Sequence, residues 1–154
     1  MIDLKSIMAD FVSVATLSGI NIRETDIHIE HVRAPHHPPK ALPKKMMAVY
    51  IFSWGPNCLK VGKVGPKSQA RYTSQHYNHK SSNSNLAKSI LKDKLKLRIS
   101  DVCDDDVGKW IKTNTDRVNI LISDEYCVHV LTLLESFLQC RLAPRFEGFD
   151  SQKI

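Results

Sequence analysis

Residues 47–77 read MAVYIFSWGPNCLKVGKVGPKSQARYTSQHY, and the fold turns on how this stretch is understood. It opens with an apolar, β-branched and aromatic run ending at Trp54, breaks at Gly55-Pro56-Asn57, and resumes as a second short run over residues 58–64. Two strand-like runs around a Gly/Pro/Asn loop predict a β-hairpin. Gly65-Pro66 stops the second run, and Ser68 is the expected N-cap of a helix through Tyr77. Most polar residues able to do chemistry (Tyr50, Lys60, Lys63, Arg71 and His76) lie on this hairpin and helix.

Before the hairpin, apolar residues at Leu4, Ile7, Met8, Phe11, Val12, Ala15 and Leu17 form a helical stripe that Ser18-Gly19 closes. Residues 20–32 alternate in character and suggest a strand at a sheet edge. Residues 33–45 hold four prolines and two histidines, which predicts an extended arm lying along a partner rather than a regular element. Residues 1–45 therefore read as an added element, a helix and a basic Pro/His-rich arm, in front of a core domain over 46–154.

After it, Asn85 or Ser84 can cap a helix through Leu86, Ile90 and Leu91. The acids Asp104, Asp105 and Asp106 precede another helix, where the macrodipole favours them; a metal site is the sharper reading. Residues 117–123 make a central strand candidate. A last helix carries Val130, Leu131, Leu134, Phe137, Leu138 and Leu142 at the 3.6-residue period, and Pro144 ends it. Glu135 sits directly after two leucines, where a carboxylate is costly without a cation or metal partner. The aromatic tail after Pro144 is expected to pack back on the domain.

At 154 residues the chain has the size of one domain with a sizeable core. No apolar run is long enough to span a bilayer and the amino terminus lacks a signal-peptide layout, so the expected location is cytoplasmic, with no membrane partner. Four scattered cysteines without a CxxC pair argue against a disulfide framework or zinc cluster, and the His28, His31, His36 and His37 spacing fits no zinc pattern. The net charge of +6 is unevenly spread: no acid occurs between Glu30 and Asp93, while eleven of the 22 Lys and Arg do. A basic, acid-free segment carrying Tyr50, Trp54, Tyr72 and Tyr77 is what a phosphate backbone needs, so DNA is the expected partner.

The element order, with these residues on it, resembles the GIY-YIG nuclease family, over roughly residues 46–147. Ala48-Val49-Tyr50 resembles the first motif, Lys60-Val61-Gly62 the second, Arg71 the arginine of the first helix, and Glu135 the glutamate of the later helix. The row KVGKVGPKSQARY also resembles small bacterial and phage proteins of that family. Lys60 replaces the usual second-motif tyrosine, as in some restriction endonucleases of the family, and the family's late asparagine has no clear match.

The resemblance implies an α+β fold with a small, mainly antiparallel three-stranded sheet flanked by helices, preceded by the N-terminal helix and Pro-rich arm. It implies a divalent-metal-dependent endonuclease hydrolysing DNA phosphodiester bonds. Tyr50 would be the general base, Arg71 would hold the scissile phosphate, and Glu135 would hold Mg²⁺ or Mn²⁺. A phenol with pKa near ~10 is a weak base at neutral pH, and a nearby Lys60 ammonium is expected to draw that pKa down. Lys63, His76 and Tyr72 are expected in supporting, phosphate-binding places. Double-strand cutting would call for a homodimer, since one site nicks one strand. The alternative reading is a catalytically degenerate DNA-binding or protein-interaction module on the same fold.

Overall fold

Residues 46–52 are an unbroken run of apolar and aromatic side chains because the strand they form is covered on both sides. The computed structural model, which describes residues 3–146, places β2 (Met46–Trp54) inside an antiparallel sheet with all of residues 47–52 buried. Its partners are β3 (Asn57–Val64) on one side and β4 (Asp116–Ser123) on the other, and β1 (His28–Val32) closes the sheet beyond β4, giving the order β1-β4-β2-β3. The fold is α+β, and the sheet has four strands rather than three. The segment read as part of an added element pairs antiparallel with β4, from His28 opposite Leu121 to Val32 opposite Arg117. Long-range pairing recruits it, and its half-exposed residues mark it as the edge that residues 20–32 suggested.

The hairpin turn is two residues long, with Trp54 opposite Asn57 and Gly55 at a φ of +56°. That is the glycine a II′ turn takes at its first position. One sheet face packs against α1 (Leu4–Leu17) and α5 (Val128–Leu142), with Phe11, Val49, Ile51, Val61, Leu134 and Leu138 at the centre. The other packs against α2 (Gln69–Thr73), α3 (Leu86–Asp93) and α4 (Val107–Asn114), around Ala48, Tyr50, Phe52, Tyr72, Ile90 and Ile111.

Three local expectations change. The helix after Ser68 stops at Thr73 and gives way to a 3₁₀ turn at Gln75–Tyr77, which brings Tyr72, His76 and Tyr77 onto the second face together. The proline-rich arm is tied to its own domain at Ala34 and His36. Ala34 N–H donates to Asp116 at 2.8 Å, His36 N–H to the Lys112 carbonyl at 2.8 Å, and the His36 ring meets the Tyr77 hydroxyl at 2.9 Å. Asp106 stands at the α4 N-cap without a side-chain cap bond, taking the Cys103 thiol at 3.0 Å instead. Asn85 does cap α3, through the Lys88 N–H at 2.8 Å. Of the aromatic tail, Phe146 packs on the second face, and Phe149 lies outside the described residues.

Candidate active site

Residues directly opposite one another in a sheet share a face, so the register writes the site out in rows. One row is Glu30, Asn119, Tyr50 and Gly62, crossing all four strands. The row beside it is Val32, Arg117, Phe52 and Lys60. Gly62 is glycine because Tyr50 lies over it: a Cβ built there would stand 2.2 Å from the Tyr50 hydroxyl oxygen and 2.6 Å from its Cζ. The ring thus crosses β3, the outer strand on that side, and Arg71 Nε of α2 donates to the hydroxyl at 3.3 Å.

Alanine at position 62 should therefore cost about 2 kcal/mol as an overpacked contact. A thermal melt should register it as a drop of roughly 4–8 °C. Tyr50→Phe in the same chain should recover part of the loss, since the shortest contact is to the hydroxyl. An unchanged melt would mean that the ring is free to leave its seat.

Burial, which disfavours the phenolate, pushes the Tyr50 hydroxyl pKa up; Arg71 opposes it first and Arg117 more weakly. The cation acting most strongly on the phenol is thus Arg71, where Lys60 was expected. Lys60 is itself buried, and burial, reinforced by Arg71 and opposed by Glu135, brings its pKa down to about 8.

Below pH 8 the fold carries an ammonium that the unfolded chain would solvate. Between about 8 and the ordinary 10.5 the unfolded chain binds a proton the fold does not, so stability rises with pH across that window. Replacing Lys60 with Met should stabilise the protein at pH 7 by about 2 kcal/mol and flatten that rise. Urea denaturation at pH 7 and pH 10 checks it; no gain at pH 7 would mean the ammonium is well solvated in the fold.

Glu135 reaches the same edge from the other face. Lys63, opposite Val49 as the alternation of the strand requires, holds Glu135 Oε2 at 2.6 Å. This ion pair is the cation partner the half-buried carboxylate needed, and it occupies Lys63 where a phosphate contact was expected. Glu135 raises the pKa of both Tyr50 and Lys60, so its field spans β3.

His76 is a buried side chain of the 3₁₀ turn. Its Nδ1 accepts the Leu86 N–H at 3.3 Å at the start of α3, its ring centroid lies 4.4 Å from that of Tyr50, and its Nε2 is buried without a partner among the described residues. Burial, with Lys60 next in weight, holds its pKa well below the ordinary value, so the ring is neutral. Tyr72 is buried too, and gives its hydroxyl hydrogen to Glu30 at 3.1 Å.

Arg117, Asn119 and Glu30 carry this layer, and sequence reasoning passed over them. Arg117 is fully buried, with its Cζ 4.9, 5.3 and 5.8 Å from the ring centroids of Tyr72, Phe52 and Tyr50. It donates to Asn119 Oδ1 at 2.8 Å, to the Tyr72 carbonyl at 2.8 Å and to the Tyr77 hydroxyl at 3.4 Å. The signal that could have found it was an arginine at the head of an apolar strand, in the same row as the Lys60 of the hairpin.

Two surface clefts of about 340 and 400 Å³ are lined by none of Tyr50, Lys60, Arg71 and Glu135, although Arg117 borders the first. Among the described residues no three His, Cys, Asp or Glu side chains cluster as metal ligands. Glu135 alone fits a Mg²⁺ ion, which commonly takes one or two carboxylates and fills its shell with water and substrate phosphate. No protein-family model, curated protein or solved structure matches this chain.

Proposed function

We propose that the chain is a divalent-metal-dependent endonuclease of the GIY-YIG type, acting on DNA. The observation that carries this reading is the Tyr50 hydroxyl laid over Gly62 with Arg71 upon it, inside the fields of Lys60 and Glu135. A phenol, a guanidinium, an amine and a carboxylate along one edge are the groups that phosphodiester hydrolysis uses. Arg71 presents its fork to a phosphate and draws the phenol toward its anion; Tyr50, once it has lost its own proton to become that phenolate, takes the proton of the attacking water; Lys60 adds positive charge in a poorly hydrated place. Glu135 would hold Mg²⁺ or Mn²⁺, which supplies charge neutralisation for the phosphoryl oxygens and the leaving oxygen. Exposed Lys67, Lys80 and Lys88 around α2 and α3 give the acid-free segment a surface for the backbone beyond the site.

One observation favours a second reading, a DNA-binding module that does not cut: Lys63 already satisfies Glu135 without a metal. A supercoiled plasmid tests the two. Nicking in Mg²⁺ or Mn²⁺ that stops in chelator is the expected result. Salt-sensitive DNA binding with the plasmid intact selects the second reading, and the absence of both retires the nucleic-acid reading altogether.

A further inference from the structure

The helix that carries Arg71 has little of its own to hold it. α2 is five residues long, and Ser68 at its N-cap makes no side-chain cap bond. A helix of this length has no stability in isolation. Three contacts from elsewhere fix it. The Gln69 amide exchanges two hydrogen bonds with the backbone of Leu42, which donates to Oε1 at 2.8 Å and accepts from Nε2 at 3.2 Å. The Tyr72 hydroxyl donates to Glu30 Oε2 at 3.1 Å, and Arg117 donates to the Tyr72 carbonyl at 2.8 Å. Glu30 Oε2 also accepts from Asn119 Nδ2 at 3.2 Å, and Asn119 in turn accepts from Arg117 Nε.

Gln69 stands two residues before Arg71 and Tyr72 one after, so the anchors bracket it. Leu42 and Glu30 both belong to the segment ahead of the hairpin: the proline-rich arm and the edge strand β1. We propose that Glu30 and the Leu42 backbone are positioning elements for Arg71, and that the first 45 residues thereby set where its guanidinium stands against the Tyr50 hydroxyl. The Arg71–Tyr50 bond is 3.3 Å long, near the outer limit for such a bond, so a small shift of α2 breaks it. The consequence for catalysis rests on the nuclease reading; the positioning itself does not.

The test uses the full chain and three variants. Glu30→Ala removes the acceptor and Tyr72→Phe the donor, while Glu30→Gln keeps an oxygen able to accept from both Tyr72 and Asn119. Hydrogen exchange of amides 69–73 should speed up roughly 10-fold in the first two relative to amides of α5, and stay at the parent's rate in Glu30→Gln. The Arg71 Nε–H resonance should shift in the same two variants and be restored in the third. With a plasmid substrate, kcat should fall roughly 10-fold with KM unchanged, again with rescue by Glu30→Gln. Unchanged exchange at 69–73, or an equal rise in α5, would overturn the proposal, the latter by showing a general loss of stability. Failure of the parent to cut would retire the nuclease reading alone, because exchange and the arginine resonance still decide the positioning.

Discussion

Plasmid incubated with Glu135→Ala in Mg²⁺ should be nicked roughly 10³-fold more slowly than with the parent chain. Glu135 is the carboxylate whose field reaches both Tyr50 and Lys60, and on the proposed reading it anchors the cation. It bonds Lys63, a side chain about one-third exposed that can return to water when its partner is removed. An ion pair so placed contributes about 1 kcal/mol at most, so the variant should fold normally and the lost rate should report chemistry. Tyr50→Phe, which removes the acceptor of Arg71, should cost roughly 10²-fold in the same assay. Equal nicking by parent and both variants would expose a contaminant and dismiss the site.

The largest loss of stability is expected from Arg117→Met, about 3–5 kcal/mol. Methionine matches the length of the side chain and removes a buried charge, a change that is often harmless when the partners are replaced as well. Here they are not. Asn119 Oδ1 and the Tyr72 carbonyl each lose a 2.8 Å donor within a fully buried layer, and three aromatic faces lose their cation. Orphaned buried acceptors cost more than the hydrogen bonds gave. Urea denaturation should show the midpoint falling with the slope unchanged, and the melt should drop by roughly 6–20 °C. A loss below about 1 kcal/mol would mean that relaxation or water re-satisfies those acceptors.

What could be read from the sequence was local. The helix over residues 4–17, the hairpin, the Asn85 cap and the last helix each follow from short-range periodicity or turn chemistry, and all stand where those signals put them. Arg71 reaches Tyr50, and Glu135 lies near enough to act on both Tyr50 and Lys60, because hairpin, α2 and α5 are elements whose faces the pattern fixes. An edge strand within residues 20–32 was suggested, but its place as the fourth strand of this sheet escaped, because pairing between residues 28–32 and 117–121 leaves no trace in a local window. The burial of Arg117 and of His76 escaped for another reason. Polar residues are read as surface by default, and their burial depends on partners such as Asn119 and the Leu86 N–H that only the fold supplies. Lys63 shows the same limit: its face could be predicted from alternation, its carboxylate partner could not.

The pairing of β1 with β4 also sets the order in which the molecule can be assembled. The hairpin of β2 and β3 closes over a two-residue turn, while β1 must wait for a strand some ninety residues further along the chain. On a ribosome the edge strand emerges early and stays unpartnered until residue 121 has left the exit tunnel. Loop closure over that span is the slow part of forming such a sheet. Glu30 is carried on the late strand, so the brace behind Arg71 is completed only when the whole sheet is. A nascent or truncated chain would hold the hairpin and its polar side chains without the support that fixes Arg71, and on the proposed reading hydrolytic competence would follow only once the sheet is complete.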